Sequence, residues 1–276
     1  MEKFIDTHAH YNCRQFRKNE EAIINKIKES TKYAITLGTS AETNTETLRL
    51  ISLYENLYGM IGFFPCDVWQ LEDTFARMDA DNNWLVFTKQ LINQKIVGIG
   101  EIGLDYHHNC LTNYKKTIFC KGEQAQEFQK KWFIAQLNLA REKNLPVSIH
   151  SRDAEKDTLK IFEEYDSIKG VCHCFSYGID SLEAYLEKGL YIGVGGTITY
   201  PRNEDTREAI KRCPIERILL ETDAPYLTPN PVRKEVNDST KIKYVVKELS
   251  KLKDISEDDI IRITNENANR LFFNKD

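Results

Sequence analysis

The stretch Phe4-Ile5-Asp6-Thr7-His8-Ala9-His10 distinguishes between a parallel barrel and a doubly wound sheet, two fold classes in which strands alternate with helices. Its apolar entry predicts a first strand over residues 4–8. In a doubly wound nucleotide-binding sheet this strand would lead into a G-x-G-x-x-G turn, but here it ends in His-Ala-His. Because side chains alternate along a strand, His8 and His10 share one face, where two imidazoles can bind the same metal ion.

Seven further β-prone runs follow, separated by segments with helical periodicity. The predicted strands are 4–8, 33–39, 58–64, 96–102, 146–150, 170–174, 191–195 and 217–221. The predicted helices are 20–31, 41–56, 81–93, 123–143, 153–165, 179–188, 203–212, 239–252 and 256–272, the last with Ser256 as its N-cap. Eight strands that read as buried on both faces favour a (β/α)8 TIM barrel of the metal-dependent hydrolase type, with an open doubly wound sheet as the alternative. We expect one domain over residues 1–276.

Composition narrows the class of protein further. The 276 residues contain no apolar run of the ~18 residues that a membrane span needs, and the N-terminus lacks the apolar core of a signal peptide. Seven irregularly spaced cysteines do not suggest a disulfide framework, so we expect a reducing, cytoplasmic location. The net charge of −4 limits any nucleic-acid contact to a cleft. We expect a monomer with no membrane association.

Metal-binding residue types fall where the predicted strands end. In a parallel barrel the active site lies at the carboxyl ends of the strands. The residues found at those ends are His8, His10, Glu101, His150, His173 and Asp223. Because four of the chain's six histidines meet two carboxylates at one rim, the sequence predicts a metal centre there.

Six nitrogen and oxygen ligands exceed the three or four that one tetrahedral zinc ion needs. They suit two divalent ions about 3.5–4 Å apart. One ion would take His8, His10 and Asp223, the other would take His150 and His173, and Glu101 would bridge the two. Imidazole and carboxylate ligands admit Mg, Mn, Zn or Co, so the metal stays open.

Several motifs together resemble the TatD family of metal-dependent hydrolases. They are His8-Ala9-His10, residues 100–106, I-H-S-R-D-A at 149–154, H-C-F-S at 173–176, E-T-D-A-P-Y-L at 221–227, and the final helix at 265–272. The resemblance covers nearly the whole chain. It implies an amidohydrolase-type barrel, divalent-metal-dependent deoxyribonuclease activity, often 3′ to 5′ exonucleolytic, and the same six metal ligands.

Two stretches depart from that family's pattern. Where relatives read G-x-H-P-H, this chain reads Gly62-Phe63-Phe64-Pro65-Cys66, and Phe64 can neither polarise a phosphate oxygen nor shuttle a proton. If that position assists catalysis in relatives, this enzyme would be slower or use another group; His107 and His108 are candidates, against the alternative of a solvated loop pair. The family's R-G-K-x-N-E-P becomes residues 233–239, which keep Arg233 and Asn237 but lose the glycine and the proline.

The expected catalytic and substrate-binding residues lie at or near the same rim of the barrel. Asp223 and Glu101 are the expected catalytic carboxylates, with Asp223 orienting the attacking water and accepting its proton. Arg152 could form a bidentate contact with phosphate or, alternatively, pair with Asp153 or Glu155. The expected substrate contacts also include Tyr106 and Arg233, with Arg202, Lys234, Trp69 and Tyr226 as weaker candidates.

The remaining cysteines near the site admit two interpretations. Cys172 and Cys174 flank His173, and strand alternation predicts that both are buried thiols in the layer between barrel and helices. A Cys-His-Cys zinc site is the alternative. Cys66 and Cys110 are placed on loops near the rim, where they could be sensitive to oxidation.

Three functions compete. The first is a two-metal nuclease acting on DNA or another phosphodiester, and the second is an ester or amide hydrolase on the same barrel, such as an aminoacyl-tRNA deacylase. Metal ligands cannot separate these two, because the same activated water serves both; the substrate loops must do so. The third is a non-catalytic metal-binding scaffold, against which the complete set of six ligands argues.

Overall fold

Eight parallel strands form one sheet in the order of the sequence in the computed structural model, which describes residues 2–71, 80–107, 110 and 122–273. The strands are β1 Phe4–Ala9, β2 Thr31–Leu37, β3 Leu57–Ile61, β4 Ile96–Asp105, β5 Val147–Arg152, β6 Gly170–Cys172, β7 Tyr191–Val194 and β8 Ile218–Leu220. The doubly wound alternative requires a strand order that reverses at a switch point, which is not the order observed. The predicted TIM barrel is therefore confirmed.

Helices separate successive strands and close the chain. They are α1 Glu20–Ser30, α2 Ala41–Leu53, α3 Ala80–Gln90, α4 Glu123–Lys143, α5 Glu155–Phe162, α6 Ile179–Glu187, α7 Glu204–Arg212, α8 Ile242–Lys253 and α9 Glu257–Phe272. The predicted N-cap of α9 is confirmed, since the Ser256 hydroxyl accepts a hydrogen bond from the Asp259 N–H at 3.1 Å. Within the described part of the chain, no helix combines the length and apolar character that a membrane span requires.

The barrel closes between β8 and β1 at its carboxyl end. The Asp223 N–H donates to the His8 carbonyl at 2.8 Å, and the His10 N–H donates to the Ala224 carbonyl at 2.6 Å. Deeper in the barrel, the Thr7 hydroxyl donates to the Leu220 carbonyl at 3.0 Å. This seam joins the residues after β8 to the end of β1, and it therefore brings Asp223 beside the two N-terminal histidines.

Strand ends differ from the predicted ones by up to three residues. β3 ends at Ile61 rather than at residue 64, and β4 continues to Asp105 rather than ending at residue 102. The longer β4 is paired to its end, because Leu104 lies opposite Ser151 and Asp105 opposite Arg152. Partner strands thus set these limits, which apolar patterning alone does not reveal. Most of the polar connection 105–122, predicted to cover the barrel mouth, lies outside the described residues.

A disulfide joins Cys66, after β3, to Cys110, after β4, with Cα atoms 5.1 Å apart. The irregular spacing of the cysteines does not predict this bond, which is one cross-link among the described residues and not a disulfide framework. The two residues are 44 positions apart in the sequence, and only the pairing of β3 with β4 brings their loops together. Four free thiols are described, at Cys13, Cys172, Cys174 and Cys213.

Asp67, in the loop after β3, makes stability depend on pH. Burial raises its pKa to about 6, although its carboxylate accepts a hydrogen bond from the Gln70 amide at 3.3 Å. The folded chain keeps this proton up to about pH 6, whereas the unfolded chain releases it near pH 4, so stability falls as pH rises through that window. Asparagine does not titrate, so the Asp67→Asn variant should keep up to about 2 kcal/mol of the free energy of unfolding that the wild type loses between pH 4 and 6. Urea denaturation at several pH values measures this, with exposed Asp166→Asn expected to show no such gain.

Candidate metal centre

A cavity of about 650 Å³ lies at the carboxyl ends of the strands, where the sequence places the candidate ligands. Its walls include His10, Glu101, His150, His173 and Asp223. His8 is completely buried beneath them. The six residues predicted from the ends of five strands therefore meet at one place in the barrel.

Two carboxylate oxygens each lie close to the same pair of histidine nitrogens. The Nε2 atoms of His8 and His10 are 3.2 Å apart. Asp223 Oδ1 lies 3.6 Å from the His8 nitrogen and 3.3 Å from the His10 nitrogen. Glu101 Oε2 lies 3.6 Å and 3.4 Å from the same two nitrogens.

These spacings fit a bound cation. An ion held tetrahedrally by bonds of about 2.0–2.1 Å separates its ligand atoms by about 3.3 Å. The His10 Nδ1 lies 3.0 Å from the Leu37 carbonyl and must donate to it, so a His10 that gives up its second proton to bind a metal presents a lone pair at Nε2. That lone pair faces two carboxylate oxygens, an arrangement that a metal ion stabilises.

The second oxygen of Glu101 faces the other two histidines. Its Oε1 lies 2.9 Å from His150 Nδ1 and 3.6 Å from His173 Nε2. The rings of His8 and His173 are stacked, with centroids 3.6 Å apart. The buried Nε2 of His150 has no well-aligned hydrogen-bond partner among the described residues, although Asp105 Oδ2 is 3.3 Å away.

Partners behind the histidines fix the direction of the inward nitrogens. Ser148 Oγ lies 3.1 Å from His8 Nδ1, and Glu221 Oε1 lies 3.1 Å from His173 Nδ1. A metal-binding imidazole commonly uses its second nitrogen in this way, which sets the ring orientation and the tautomer. In both residues the Nε2 atom is consequently directed toward the centre.

The carboxylates are held in their ionised form. Burial opposes the charge on Glu101, but hydrogen bonds with His10, His150 and His8 hold its pKa well below the usual range. Asp223 is likewise buried, yet its hydrogen bond with His10 and the neighbouring imidazoles lower its pKa. Both carboxylates can therefore serve as ligands at neutral pH.

The pKa values of His8 and His150 shift in opposite directions. Burial and the charge of neighbouring His173 lower the pKa of His8. Burial also opposes the charge of His150, but the neighbouring carboxylates of Asp105 and Glu101 raise its pKa to about 9. Without a metal, His150 therefore keeps a proton at neutral pH, and its positive charge faces the carboxylates as a bound cation would.

Two buried side chains position the segment that carries Asp223. Asp6 accepts hydrogen bonds from the Thr222 hydroxyl at 2.7 Å and the Ser239 hydroxyl at 2.6 Å. The Asn237 amide donates to the carbonyls of Thr222 at 2.8 Å and Tyr226 at 2.6 Å. Asn237, kept in the altered 233–239 stretch, thus supports the backbone on both sides of Asp223.

The predicted substrate contacts lie at different depths. Arg152 is exposed and lines the cavity; within the described residues it forms no ion pair with Asp153 or Glu155. Tyr106 instead donates its hydroxyl to Asp157 at 2.7 Å and does not line the cavity. Arg233 also lies outside the cavity wall, with its guanidinium 3.9 Å from the centre of the Tyr200 ring.

Four other residues were predicted to lie near the site, and the structure describes the positions of three of them. Phe64 lines the cavity, and its ring packs edge-on against His150 with centroids 4.7 Å apart. Tyr226 is 53% exposed at the rim. The His107 N–H donates to the Asp105 carboxylate at 2.8 Å, whereas His108 lies outside the described residues.

Cys172 is buried as predicted, but the prediction for Cys174 is wrong. β6 ends at Cys172, so the alternation that would turn Cys174 outward does not reach it. With a positive φ of 46°, Cys174 instead lines the cavity and is only partly buried.

Sequence reasoning did not assign roles to Glu221, Asp105 or Ser148, which contact the histidines. For two of them the sequence did hold a signal. Glu221 is two residues before Asp223 and Ser148 is two before His150, so strand alternation places each on the same face as a ligand. A β-carbon at Gly193 would overlap the Glu221 carboxylate, so β7 leaves room for it.

Glu221→Ala is expected to weaken metal binding by about 10–100-fold, because His173 would lose the partner of its Nδ1. Glu221→Gln, which keeps an oxygen acceptor, should lose less. Isothermal titration with Mn²⁺ or Zn²⁺ measures the effect. Exposed Glu216→Ala serves as the control, and equal affinities in the two alanine variants would contradict the assigned role.

Comparison with known proteins identifies the family of the chain. A family model described as TatD related DNase matches residues 5–273. The uncharacterized metal-dependent hydrolase YabD of Bacillus subtilis (strain 168) is 33% identical over 272 residues, covering 97% of this chain and 98% of YabD. The deoxyribonuclease Tat-D of Schizosaccharomyces pombe is 33% identical over 202 residues, covering 70% of this chain and 59% of that protein.

A solved structure shares the fold over the same length. The crystal structure of YjjV, a TatD homologue from Escherichia coli K12, matches with a TM-score of 0.82 at 30% sequence identity. The match covers 99% of this chain and 98% of YjjV. The chain belongs to the TatD family of metal-dependent hydrolases.

Proposed function

We propose that this hydrolase is a deoxyribonuclease that cleaves phosphodiester bonds with two divalent metal ions. The observation that carries the proposal is the position of Glu101, whose Oε2 faces His8 and His10 while its Oε1 faces His150 and His173. A carboxylate with one oxygen toward each histidine pair suits a bridge between two ions, the arrangement of many phosphatases and nucleases. Asp223 would complete the ligand set of the His8–His10 pair.

Bound divalent ions would lower the pKa of a water molecule and neutralise the charge of the phosphate. Asp223, at the cavity wall, would orient that water and accept its proton at the carboxylate. Arg152 would bind the phosphate oxygens from the rim, where a guanidinium can make two parallel hydrogen bonds. His8, buried below the cavity, would act only as a ligand.

A nucleic-acid substrate is supported by the relative from Schizosaccharomyces pombe that is named a deoxyribonuclease. The cavity is a pocket of about 650 Å³ whose wall includes the ligands, so it suits the end of a strand better than the middle of a duplex. The chain's net charge of −4 is also unsuited to coating a long duplex. We therefore propose single-stranded DNA as the substrate, with removal of nucleotides from the 3′ end.

The test is a metal-supplemented assay on single-stranded DNA labelled at either the 3′ or the 5′ end. We expect immediate release of labelled mononucleotide from the 3′-labelled strand, loss of activity with EDTA, and recovery on adding Mg²⁺ or Mn²⁺. Intact DNA under all conditions would refute the nuclease proposal. If the same preparation released amino acid from aminoacyl-tRNA in a metal-dependent way, the enzyme would be an ester hydrolase instead.

A further inference from the structure

The Cys66–Cys110 disulfide links the loop that contains Phe64 to the segment that follows Asp105, the last residue of β4. Cys66 follows β3, in the same loop as Phe64, and Cys110 follows β4, five residues after Asp105. The Phe64 ring lies 4.7 Å from the His150 ring, and Asp105 Oδ2 lies 3.3 Å from His150 Nε2. The cross-link therefore ties together the two side chains that flank this histidine.

Gln129 on α4 couples the sulfur to Asp105. Its Nε2 donates to Cys110 Sγ at 3.5 Å and to the Asp105 carbonyl at 2.9 Å. Its Oε1 accepts a hydrogen bond from the Asp105 N–H at 2.8 Å. A movement of Cys110 would disturb Gln129, and through it the carboxylate behind His150.

The two sulfurs differ in their access to solvent. Cys66 is partly exposed, whereas Cys110 is 3% exposed. An incoming thiolate can therefore reach the Cys66 sulfur more readily. The pair lies beside the metal centre, but neither cysteine is among the ligands assigned to the two ions.

We propose that Cys66–Cys110 is a thiol–disulfide exchange site that controls how tightly the His150 side of the centre holds its metal ion. This inference rests on the two-ion centre proposed for the enzyme. The intact disulfide holds Phe64 and Asp105 against His150, and reduction releases the two loops from each other. The released His150 then loses the fixed orientation on which ligand strength depends.

The reductant is a dithiol. Its first thiolate attacks Cys66 Sγ, the sulfur–sulfur bond breaks, and Cys110 leaves with the electron pair and takes up a proton. The second thiolate of the reductant then attacks the mixed disulfide and releases Cys66. Two electrons and two protons pass from the dithiol to the cysteines, and the reductant becomes a disulfide.

The test compares metal binding by oxidised and reduced protein. One sample is reduced with dithiothreitol and desalted without oxygen; mass spectrometry of a non-reducing digest reports whether Cys66 and Cys110 are linked. Calorimetric titration with Co²⁺ should show two equivalents, with the affinity for the weaker one reduced about tenfold or more by reduction. Cys66→Ser should behave like the reduced protein under both conditions. Cys213→Ala, which removes a free thiol that does not line the cavity, should respond like the wild type.

The outcomes separate this proposal from the one on which it rests. Two equivalents whose affinities do not change on reduction would overturn the exchange site and leave the two-ion centre standing. Absence of a second metal equivalent from both the oxidised and the reduced protein would overturn both proposals. A gain of a metal equivalent on reduction would also overturn the exchange site, because Cys66, Cys110 and Asp105 would then be acting as ligands themselves.

Discussion

Glu101→Gln is expected to slow metal-dependent hydrolysis by about a thousandfold and to lower the metal content from the proposed two ions per chain to one or none. Among the described residues, Glu101 is the side chain that faces both histidine pairs. Glutamine keeps its size but supplies a single oxygen and no charge. Because metal ions contribute several kcal/mol to the transition state, a loss of about 4 kcal/mol corresponds to that factor.

Elemental analysis of metal-replete protein and initial rates on labelled DNA measure this effect. Exposed Glu208→Gln on α7 is the matched control and should keep both metal and rate. Circular dichroism establishes that the variant is folded. A Glu101→Gln enzyme that kept two ions and its activity would remove Glu101 from the centre.

Asp223→Asn should lower kcat by about 10²–10⁴-fold with a smaller effect on KM. Asparagine retains an oxygen that can face the His8–His10 pair, but it cannot accept a proton. The wild-type carboxylate has a pKa below the usual range, because its hydrogen bond with His10 and the nearby imidazoles outweigh its burial. It is therefore ionised and able to accept a proton at neutral pH.

Rates measured over a range of metal concentrations distinguish the two roles proposed for Asp223, metal ligand and base. A deficit in metal affinity would disappear at saturating Mn²⁺, whereas the loss of a base would persist. Exposed Asp180→Asn on α6 is the control and should match the wild type. Full recovery of the Asp223→Asn rate at saturating metal would show that Asp223 acts as a ligand alone.

The barrel was predictable because its signal is local and repeated. Each strand is a short apolar run, and the runs alternate with helical periodicity along the whole chain. The ends of such strands must meet on one face, so His8, Glu101 and His150 could be grouped without coordinates. The structure brings them together with ligand atoms 2.9–3.6 Å apart.

Contacts behind the ligands could not be predicted in the same way. Glu221 and Asp105 are acidic residues next to strand ends, but only the curvature of the barrel decides that they contact His173 and His150. Cys174 was misplaced because β6 ends two residues early and the backbone turns to a positive φ. The Cys66–Cys110 bond depends on two loops 44 residues apart meeting over β3 and β4.

The sequence by itself determined the order of the strands, the residue types at their ends and the departure from G-x-H-P-H at Phe64 and Cys66. These features follow from backbone periodicity and side-chain chemistry, which act over a few residues. Only the tertiary structure decided that one Glu101 oxygen faces each histidine pair and that Phe64 packs on His150. Such contacts depend on how the barrel closes, because closure fixes distances between residues that no local pattern connects.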